Sequence, residues 1–394
     1  MSRAFANPLV ELAEYEELNR DLNRGKGPIQ VSGCMDSQKV HLMQEAGESL
    51  SWKLVVTYDD SRAKEIYEDC RCFTDQVWLY PAKDLLFYNA DIHGNLMTRQ
   101  RMQVLKHLIE DQGGTVVTTL DGLMDHLLPL AMLEAQILKV AQGDVIDIQQ
   151  WKTRLVALGY ERMAQVDGMG QFSIRGGIID IFPLTEELPV RIELWDDEVD
   201  SIRSFDLESQ RSVEQLEEIV IYPATEIVLT KRQISDGMER LEKSASRYEK
   251  SLRNQMKTEE AYRIHSIVQE LKEKLEYDTG VSGLDSFLTY FCGETVSFRQ
   301  YFRAEETAVF LDEPTRLKEK GETVETEFRE SMIHRLEKGY LLPEQTSLLY
   351  SVKETLAGLQ GGHTVYVTGL EQKLPGMTVN SRYSIQAKNV SSWF

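Results

Sequence analysis

The chain has 394 residues, 42% of them hydrophobic and 27% charged, and its formal net charge at pH 7 is −20. This length is sufficient for two or three domains with sizeable cores, and the composition is that of a globular protein. Because we find no basic stripe that would counteract the negative charge, a stand-alone DNA-binding protein is disfavoured.

The sequence contains no recognisable export or membrane segment. Residues 1–30 lack the uninterrupted apolar core of a signal peptide, and no apolar run reaches the roughly 18 residues that cross a bilayer. We therefore expect a cytoplasmic protein that does not contact a membrane. The four cysteines are too few and too irregularly spaced for a disulfide framework, and Cys70-x-Cys72 has no second ligand pair at metal-site spacing. No metal is expected.

Strand-like and helix-like segments alternate along residues 1–129. After one or two surface helices in residues 1–27, the predicted elements are strand 28–33, helix 37–46, strand 53–58, helix 61–71, strand 76–80, helix 98–112, strand 115–120 and helix 121–128. Such alternation is typical of an α/β domain with a parallel sheet.

The junction between the first of these strands and the next helix is where a Walker A loop, G-x-x-x-x-G-K-[ST], lies in nucleotide-binding α/β domains. Gly33 and Lys39 match this pattern. Gln38 replaces the second glycine, and Val40 replaces the hydroxyl residue that would bind Mg²⁺. The loop therefore lacks two of the groups that phosphate and Mg²⁺ binding require.

A matching fragment lies far downstream. The apolar residues 308–311 lead into Asp312 and Glu313, as in the strand and acidic pair of a Walker B element, and Pro314 follows. Chance explains either fragment alone, but both occur in the order and the α/β context of a nucleotide-binding fold. Together they indicate a decayed nucleotide-binding fold.

Residues 130–213 have a different pattern, which predicts a compact α+β insert. Its first part reads as a strand (135–140), a helix that begins after the N-cap Asp147 and ends at Gly159, and a strand (162–166). Three β-rich runs follow, at residues 171–175, 178–182 and 190–195, and turn residues separate them. These runs predict a small antiparallel sheet.

One strand of this sheet has two distinct faces. Within residues 190–195, apolar side chains alternate with Arg191, Glu193 and Trp195, so Arg191 and Trp195 lie on the polar face. In a purely structural interpretation, Trp195 covers a neighbouring segment and Arg191 pairs with an acid. In the other interpretation the face docks a protein, because Trp and Arg are enriched among residues that dominate binding energy.

The remainder of the chain combines a strand (219–222), a long charged helical stretch (230–277) with one packed apolar stripe, a helix after Pro314, and strands at 364–367 and 383–387. A coiled-coil dimer is the alternative for the helical stretch. An aromatic cluster interleaved with Arg299 and Arg303 is interpreted as core in preference to a platform for single-stranded nucleic acid. Its members are Phe287, Tyr290, Phe291, Phe298, Tyr301 and Phe302.

The run FSIRGGIIDIFP at residues 172–183 and the run PVRIELWDDEVDSIRSFDLESQRS at residues 189–212 carry a family resemblance. They closely resemble the second domain of the bacterial transcription-repair coupling factors (Mfd proteins), a domain shared with the excision-repair helicase UvrB. The resemblance implies that this domain binds the damage sensor UvrA, with Arg175, Arg191 and Trp195 at the contact positions. The third position is usually Phe, so Trp195 is a bulkier departure.

The resemblance also implies a fold class: a degenerate RecA/P-loop-like α/β domain in two sequence halves, with an inserted α+β domain similar to UvrB domain 2. The implied limits are 1–129 for domain 1A, 130–213 for the inserted UvrA-binding domain and 214–394 for domain 1B. Relatives of this kind have lost the ATPase residues of this module, so neither a catalytic residue nor a cofactor is expected.

The family resemblance implies that this chain is an N-terminal fragment. In the family an RNA polymerase-binding module and an ATP-dependent DNA translocase follow, so contacts with RNA polymerase and DNA are expected only through those regions. The C-terminal part is also expected to mask the UvrA-binding face. The resulting hypothesis is a non-catalytic module that recruits UvrA to stalled RNA polymerase. The alternative, a UvrB-like ATP-dependent DNA-binding repair helicase, requires phosphate ligands, Mg²⁺ ligands and a second motor domain.

Overall fold

The computed structural model describes residues 7–12, 14–83, 94–276 and 284–385. The helices are α1 (Asn7–Val10), α2 (Tyr15–Asn23), α3 (Asp36–Glu45), α4 (Asp60–Arg71), α5 (Gly94–Ile109), α6 (Leu130–Glu134), α7 (Ile148–Ala157), α8 (Lys231–Asn254), α9 (Thr258–Glu276), α10 (Leu288–Phe291), α11 (Pro314–Glu337) and α12 (Val352–Leu359). The strands are β1 (Ile29–Ser32), β2 (Trp52–Thr57), β3 (Val77–Tyr80), β4 (Gly114–Thr119), β5 (Leu138–Ala141), β6 (Glu161–Arg162), β7 (Gln171–Arg175), β8 (Ile178–Phe182), β9 (Val190–Trp195), β10 (Glu198–Phe205), β11 (Ser212–Leu216), β12 (Glu218–Ile221), β13 (Thr307–Asp312), β14 (Thr364–Thr368) and β15 (Ser381–Ser384).

The predicted parallel sheet is confirmed. It has the strand order β15-β1-β14-β13-β2-β4-β3, and every neighbouring pair is parallel. Strands β13 and β14 are buried along their whole length, as expected where helices and loops cover both faces of a sheet. Because β1 lies between two strands from the end of the chain, the first and last parts of the sequence build one sheet.

The insert contains the predicted antiparallel sheet, with the order β11-β10-β9-β8-β7-β6, in which only the short edge strand β6 pairs in parallel with its neighbour β7. The strands β7, β8 and β9 have the predicted bounds, and Asp147 caps α7 by accepting hydrogen bonds from the N–H groups of Gln149 and Gln150. A second, two-stranded sheet pairs β5 with β12. The predicted boundary at residue 213 falls inside β11, and the domain limits remain predictions.

Helices α8 and α9 form a hairpin instead of one continuous helix. The break lies at residues 255–257, where Met256 has a φ of +61°. Leu241, Leu252 and Ile264 are buried in a hydrophobic cluster that also includes residues of α10. The apolar stripe therefore packs within the chain, and Tyr277, the predicted end of the helical stretch, lies outside the described residues.

Other predicted elements also differ from the structure, among them the following three. The helix at 121–128 is wrong, because a 3₁₀ turn at Asp121–Leu123 gives way to extended residues that bridge to two other segments. The strand at 162–166 is reduced to the two residues of β6. The last strand ends at Ser384 instead of 387, and residues 386 and 387 lie outside the described part.

A buried charge cluster explains the first of these differences. Arg101 donates hydrogen bonds to the Glu226 carboxylate at 3.0 Å, lies over the Tyr80 ring at 4.1 Å and forms a 3.1 Å ion pair with Asp125. Burial raises the pKa of Asp125 to about 6, against the attraction of Arg101. Burial would also raise the pKa of Glu226, but Arg101 and Lys83 lower it to about 2. Pairing with Arg101 thus holds Asp125 in an extended segment.

None of the described helices has the length and apolar character needed to cross a bilayer. Within the same residues, no group of His, Cys, Asp and Glu side chains is placed to hold a metal ion.

Candidate protein-docking face and the Lys39 cluster

Strand β9 has the alternation that its sequence predicts. Val190 and Ile192 are buried against the core of the insert, whereas Arg191 and Trp195 point to the opposite face. Strands β7 and β9 run in the same direction on either side of β8, so Arg175, the last residue of β7, reaches the same end of the sheet as Trp195.

Asp180 of β8 lies between the two arginines. It is paired with Arg191 in the β8–β9 register, and its side chain is only 1% exposed. Arg191 Nε and Nη2 donate to Asp180 Oδ1 and Oδ2 at 2.6 and 2.9 Å, and Arg175 Nη2 donates to Asp180 Oδ2 at 2.6 Å. We call Arg175, Asp180, Arg191 and Trp195 the arginine face.

The two arginines differ in exposure. The Arg191 side chain is 16% exposed, lies 4.5 Å over the Phe205 ring and also donates to the Gln210 side chain at 3.1 Å. Its hydrogen bonds to Asp180 raise its pKa. The Arg175 side chain is 46% exposed and makes one side-chain hydrogen bond within the described part of the chain. Arg191 therefore pairs with an acid, as in the structural interpretation, whereas Arg175 keeps donors in solvent.

Trp195 does not cover a neighbouring segment. It is 80% exposed, directly before the tight turn at residues 196–197 where Asp196 has a φ of +61°. Its cross-strand partner Glu198 is bridged on the other side by Val145, which is 70% exposed. An exposed indole and a second apolar side chain thus flank Glu198 at the end of the sheet where Arg175 also lies.

The Walker-like fragments meet at the carboxyl edge of the parallel sheet. Strands β1 and β13 are separated only by β14, so the loop after β1 lies beside Asp312. Lys39 Nζ donates to Asp312 Oδ1 at 2.8 Å and to Glu313 Oε1 at 2.6 Å. Arg62 Nε lies 3.4 Å from Asp312 Oδ2. We call Lys39, Arg62, Asp312 and Glu313 the Lys39 cluster.

Every charge in the Lys39 cluster has a partner inside the protein. Asp312 is fully buried and also accepts a hydrogen bond from the Thr57 hydroxyl at 3.0 Å, and Glu313 accepts one from the Gly369 N–H at 2.7 Å. Burial would lower the pKa of Lys39, but the attraction of Asp312 and Glu313 outweighs burial and raises it. The lysine is held as a buried cation by two acids.

The other Walker-like positions serve local structure. Gly33 has a φ of +91°, and a Cβ there would lie 2.2 Å from the Ile385 carbonyl oxygen, so the glycine is required by its packing. Gln38 accepts a hydrogen bond from the Met35 N–H at 3.3 Å and thereby caps α3. Val40 is fully buried in the core beneath the sheet. Val40 therefore provides no hydroxyl at the position where a P-loop has its Mg²⁺ ligand.

The aromatic cluster belongs to the core. Phe298 is fully buried and stacks on Tyr80 with ring centroids 3.6 Å apart, and Phe302 and Phe291 are buried as well. Arg299 donates to the Phe302 carbonyl oxygen. This geometry agrees with core packing and leaves few ring faces for stacking on bases.

Comparisons with known proteins agree with these features. Residues 138–227 match the family model described as the UvrB interaction domain. The chain is 31% identical over 337 residues to the transcription-repair-coupling factor of Bacillus subtilis (strain 168), a match that covers 85% of this chain and 28% of that protein. It is 29% identical over 396 residues to the corresponding factor of Staphylococcus aureus (strain USA300), covering 98% of this chain and 33% of that protein.

The predicted resemblance to the N-terminal UvrB-homology region of the transcription-repair coupling factors is thereby confirmed. The chain spans about a third of the length of the curated relatives it matches.

Proposed function

We propose that this chain is a non-catalytic interaction module of a transcription-repair coupling factor and that it recruits UvrA to stalled RNA polymerase through the arginine face. The observation that carries the proposal is Trp195, which is 80% exposed at the end of a strand that lies within the match to the UvrB interaction domain. A large exposed ring with a half-exposed arginine at the same end of the sheet has the composition of a binding hot spot.

The parallel sheet supports the non-catalytic part of the proposal. We interpret it as a degenerate RecA/P-loop-like domain whose two sequence halves flank the insert. Its lysine is paired with both acids at the carboxyl edge, and Val40 is part of the core. The same contacts argue against a UvrB-like ATP-dependent helicase, which needs that lysine for phosphate and a hydroxyl for Mg²⁺.

Contacts with RNA polymerase and DNA belong in this proposal to regions that the longer relatives have beyond the matched part. We also propose that the C-terminal part of the whole protein masks the arginine face through an autoinhibitory contact.

Purified UvrA provides the test. The parent chain is expected to co-elute with UvrA on a sizing column, and Trp195→Ala is expected to lose about 2 kcal/mol or more of binding free energy, roughly thirtyfold in affinity. Tyr262→Ala is the matched control, because Tyr262 is a 70% exposed aromatic residue on α9, outside the arginine face. A parent chain that fails to bind UvrA would refute the proposed function.

A further inference from the structure

Asp180 is the buried charge at the centre of the arginine face. Its carboxylate accepts three hydrogen bonds from two arginines, two from Arg191 and one from Arg175. An ionised carboxylate that is removed from water requires such partners, because its lost hydration must be replaced. Asp180 therefore holds both guanidinium groups in place before any partner arrives.

The two arginines do not offer the same groups to a partner. Arg191 uses both nitrogens of one edge for Asp180, shares Nη2 with Gln210, and covers its flat side with Phe205. Arg175 uses only Nη2, on a half-exposed side chain. Since a guanidinium has five N–H donors in a fixed plane, Arg175 retains donors that Asp180 does not use, on a side chain that is 46% exposed.

We infer that Asp180 is a positioning residue for UvrA binding, because it fixes the guanidinium of Arg175 so that the free donors address an oxygen acceptor of UvrA beside Trp195. This inference rests on the proposed function. An arginine that is already oriented loses less side-chain freedom on binding than one that moves freely, and the affinity is correspondingly higher.

The other acid on this side of β9 does not fill this role. Glu193 pairs with Arg203 and accepts a hydrogen bond from the Ser201 hydroxyl, and both partners lie on β10, on the far side from Arg175. Asp180 is the only acid among the described residues that forms an ion pair with Arg175.

The test is a double-mutant cycle on the full chain with purified UvrA, read as the dissociation constant. Asp180→Asn keeps the shape and removes the charge, and we expect it to weaken UvrA binding about five- to tenfold, the scale of one ordered side chain. In an Arg175→Ala background the same change is expected to weaken binding by a clearly smaller factor, about two- to threefold, because only the part of its effect that acts through Arg191 remains. A purely structural role would give equal effects in the two backgrounds and would overturn the inference.

Two further variants separate positioning from folding. Asp125→Asn removes another buried, arginine-paired carboxylate, outside the arginine face, so it is expected to lower the melting temperature and leave UvrA affinity unchanged. Arg175→Lys keeps the charge but loses the planar set of donors, and we expect it to weaken binding at least fivefold with an unchanged melting temperature. Parental affinity in either Asp180→Asn or Arg175→Lys contradicts the inference, whereas a parent chain that does not bind UvrA contradicts the proposed function itself.

Discussion

The arginine face and the Lys39 cluster share one construction. In each, a buried aspartate on a strand is paired with two cations: Asp180 with Arg175 and Arg191, and Asp312 with Lys39 and Arg62. They differ in whether hydrogen-bond donors remain for a binding partner. Arg175 keeps donors in solvent near an exposed tryptophan, whereas the charged groups of the Lys39 cluster contact one another and the surrounding backbone.

This difference indicates which of the two regions is suited to bind a partner. A cation contributes to recognition only where it still has donors or area to offer, and a cation that is fully paired contributes to the fold. Lys39 instead ties the first turn of α3 to the end of β13. The sheet of the insert, in contrast, presents an arginine with hydrogen-bond donors that its aspartate partner does not use.

The largest expected effect is on stability, at the Lys39 cluster. Asp312→Ala leaves Lys39 and Arg62 without their shared buried carboxylate, and removing one partner of a buried pair costs about 3–5 kcal/mol. Urea unfolding is expected to shift to lower concentration by a corresponding amount. Asp236→Ala, in an exposed helical pair, is the control and is expected to change stability by less than about 0.5 kcal/mol. A loss under about 1 kcal/mol for Asp312→Ala would show that the tie is not structural.

The next largest effect is also on stability, and it distinguishes the core face of β9 from its exposed face. Ile192 is fully buried on the core face, so Ile192→Ala is expected to destabilise the insert by roughly 2–5 kcal/mol through a cavity. It should impair UvrA binding only to the extent that the insert unfolds. Trp195→Ala is the opposite case, because the exposed ring contributes little to folding. Equal drops in melting temperature for the two variants would place Trp195 in the core and contradict the face assignment.

A smaller effect distinguishes the two arginines. Arg191→Ala removes two of the three hydrogen bonds to the buried Asp180, which is expected to cost about 1–3 kcal/mol of stability as well as UvrA affinity. Arg175→Ala removes one bond from a half-exposed side chain and should change stability by less than about 0.5 kcal/mol while weakening UvrA binding. Melting temperature and UvrA affinity of both variants provide the measurement. An Arg191→Ala chain that is as stable as the parent and binds UvrA equally well would contradict the assignment of Arg191 to the face.

The sequence predicted three central strands of the insert, β7, β8 and β9, better than it predicted their pairing. Turn residues and two-residue alternation are local signals, so the bounds of β7, β8 and β9 could be predicted and both Arg191 and Trp195 could be placed on the polar face. The role of Asp180 could not be predicted, because the loop at residues 183–189 does not determine the register of β8 against β9. Only that register places Asp180 opposite Arg191.

The same limit applies to the parallel sheet. Both Walker-like fragments are visible in the sequence, but the pairing of Lys39 with Asp312 and Glu313 depends on the arrangement of β1, β14 and β13. The incorrect helix at 121–128 has a similar cause. Its local pattern is helical, and the buried partner that overrides it, Arg101, lies on α5.

The smallest expected effect concerns ATP binding. We expect none in the parent chain, and none after the P-loop residue types are restored at positions 38 and 40. The parent chain is expected to bind a fluorescent ATP analogue negligibly. Gln38 has a side chain where the glycine of a P-loop lets backbone amides approach the phosphate, and Val40 has no hydroxyl to bind Mg²⁺. Restoring both positions with Gln38→Gly and Val40→Thr should still give no saturable binding, since Lys39 remains paired with Asp312 and Glu313. Adding Glu313→Gln removes one of these acids and is the variant in which weak binding would first be expected. If the parent chain itself binds the analogue with micromolar affinity and Lys39→Ala abolishes that binding, the lysine is available to phosphate, and the contrast between the two regions fails.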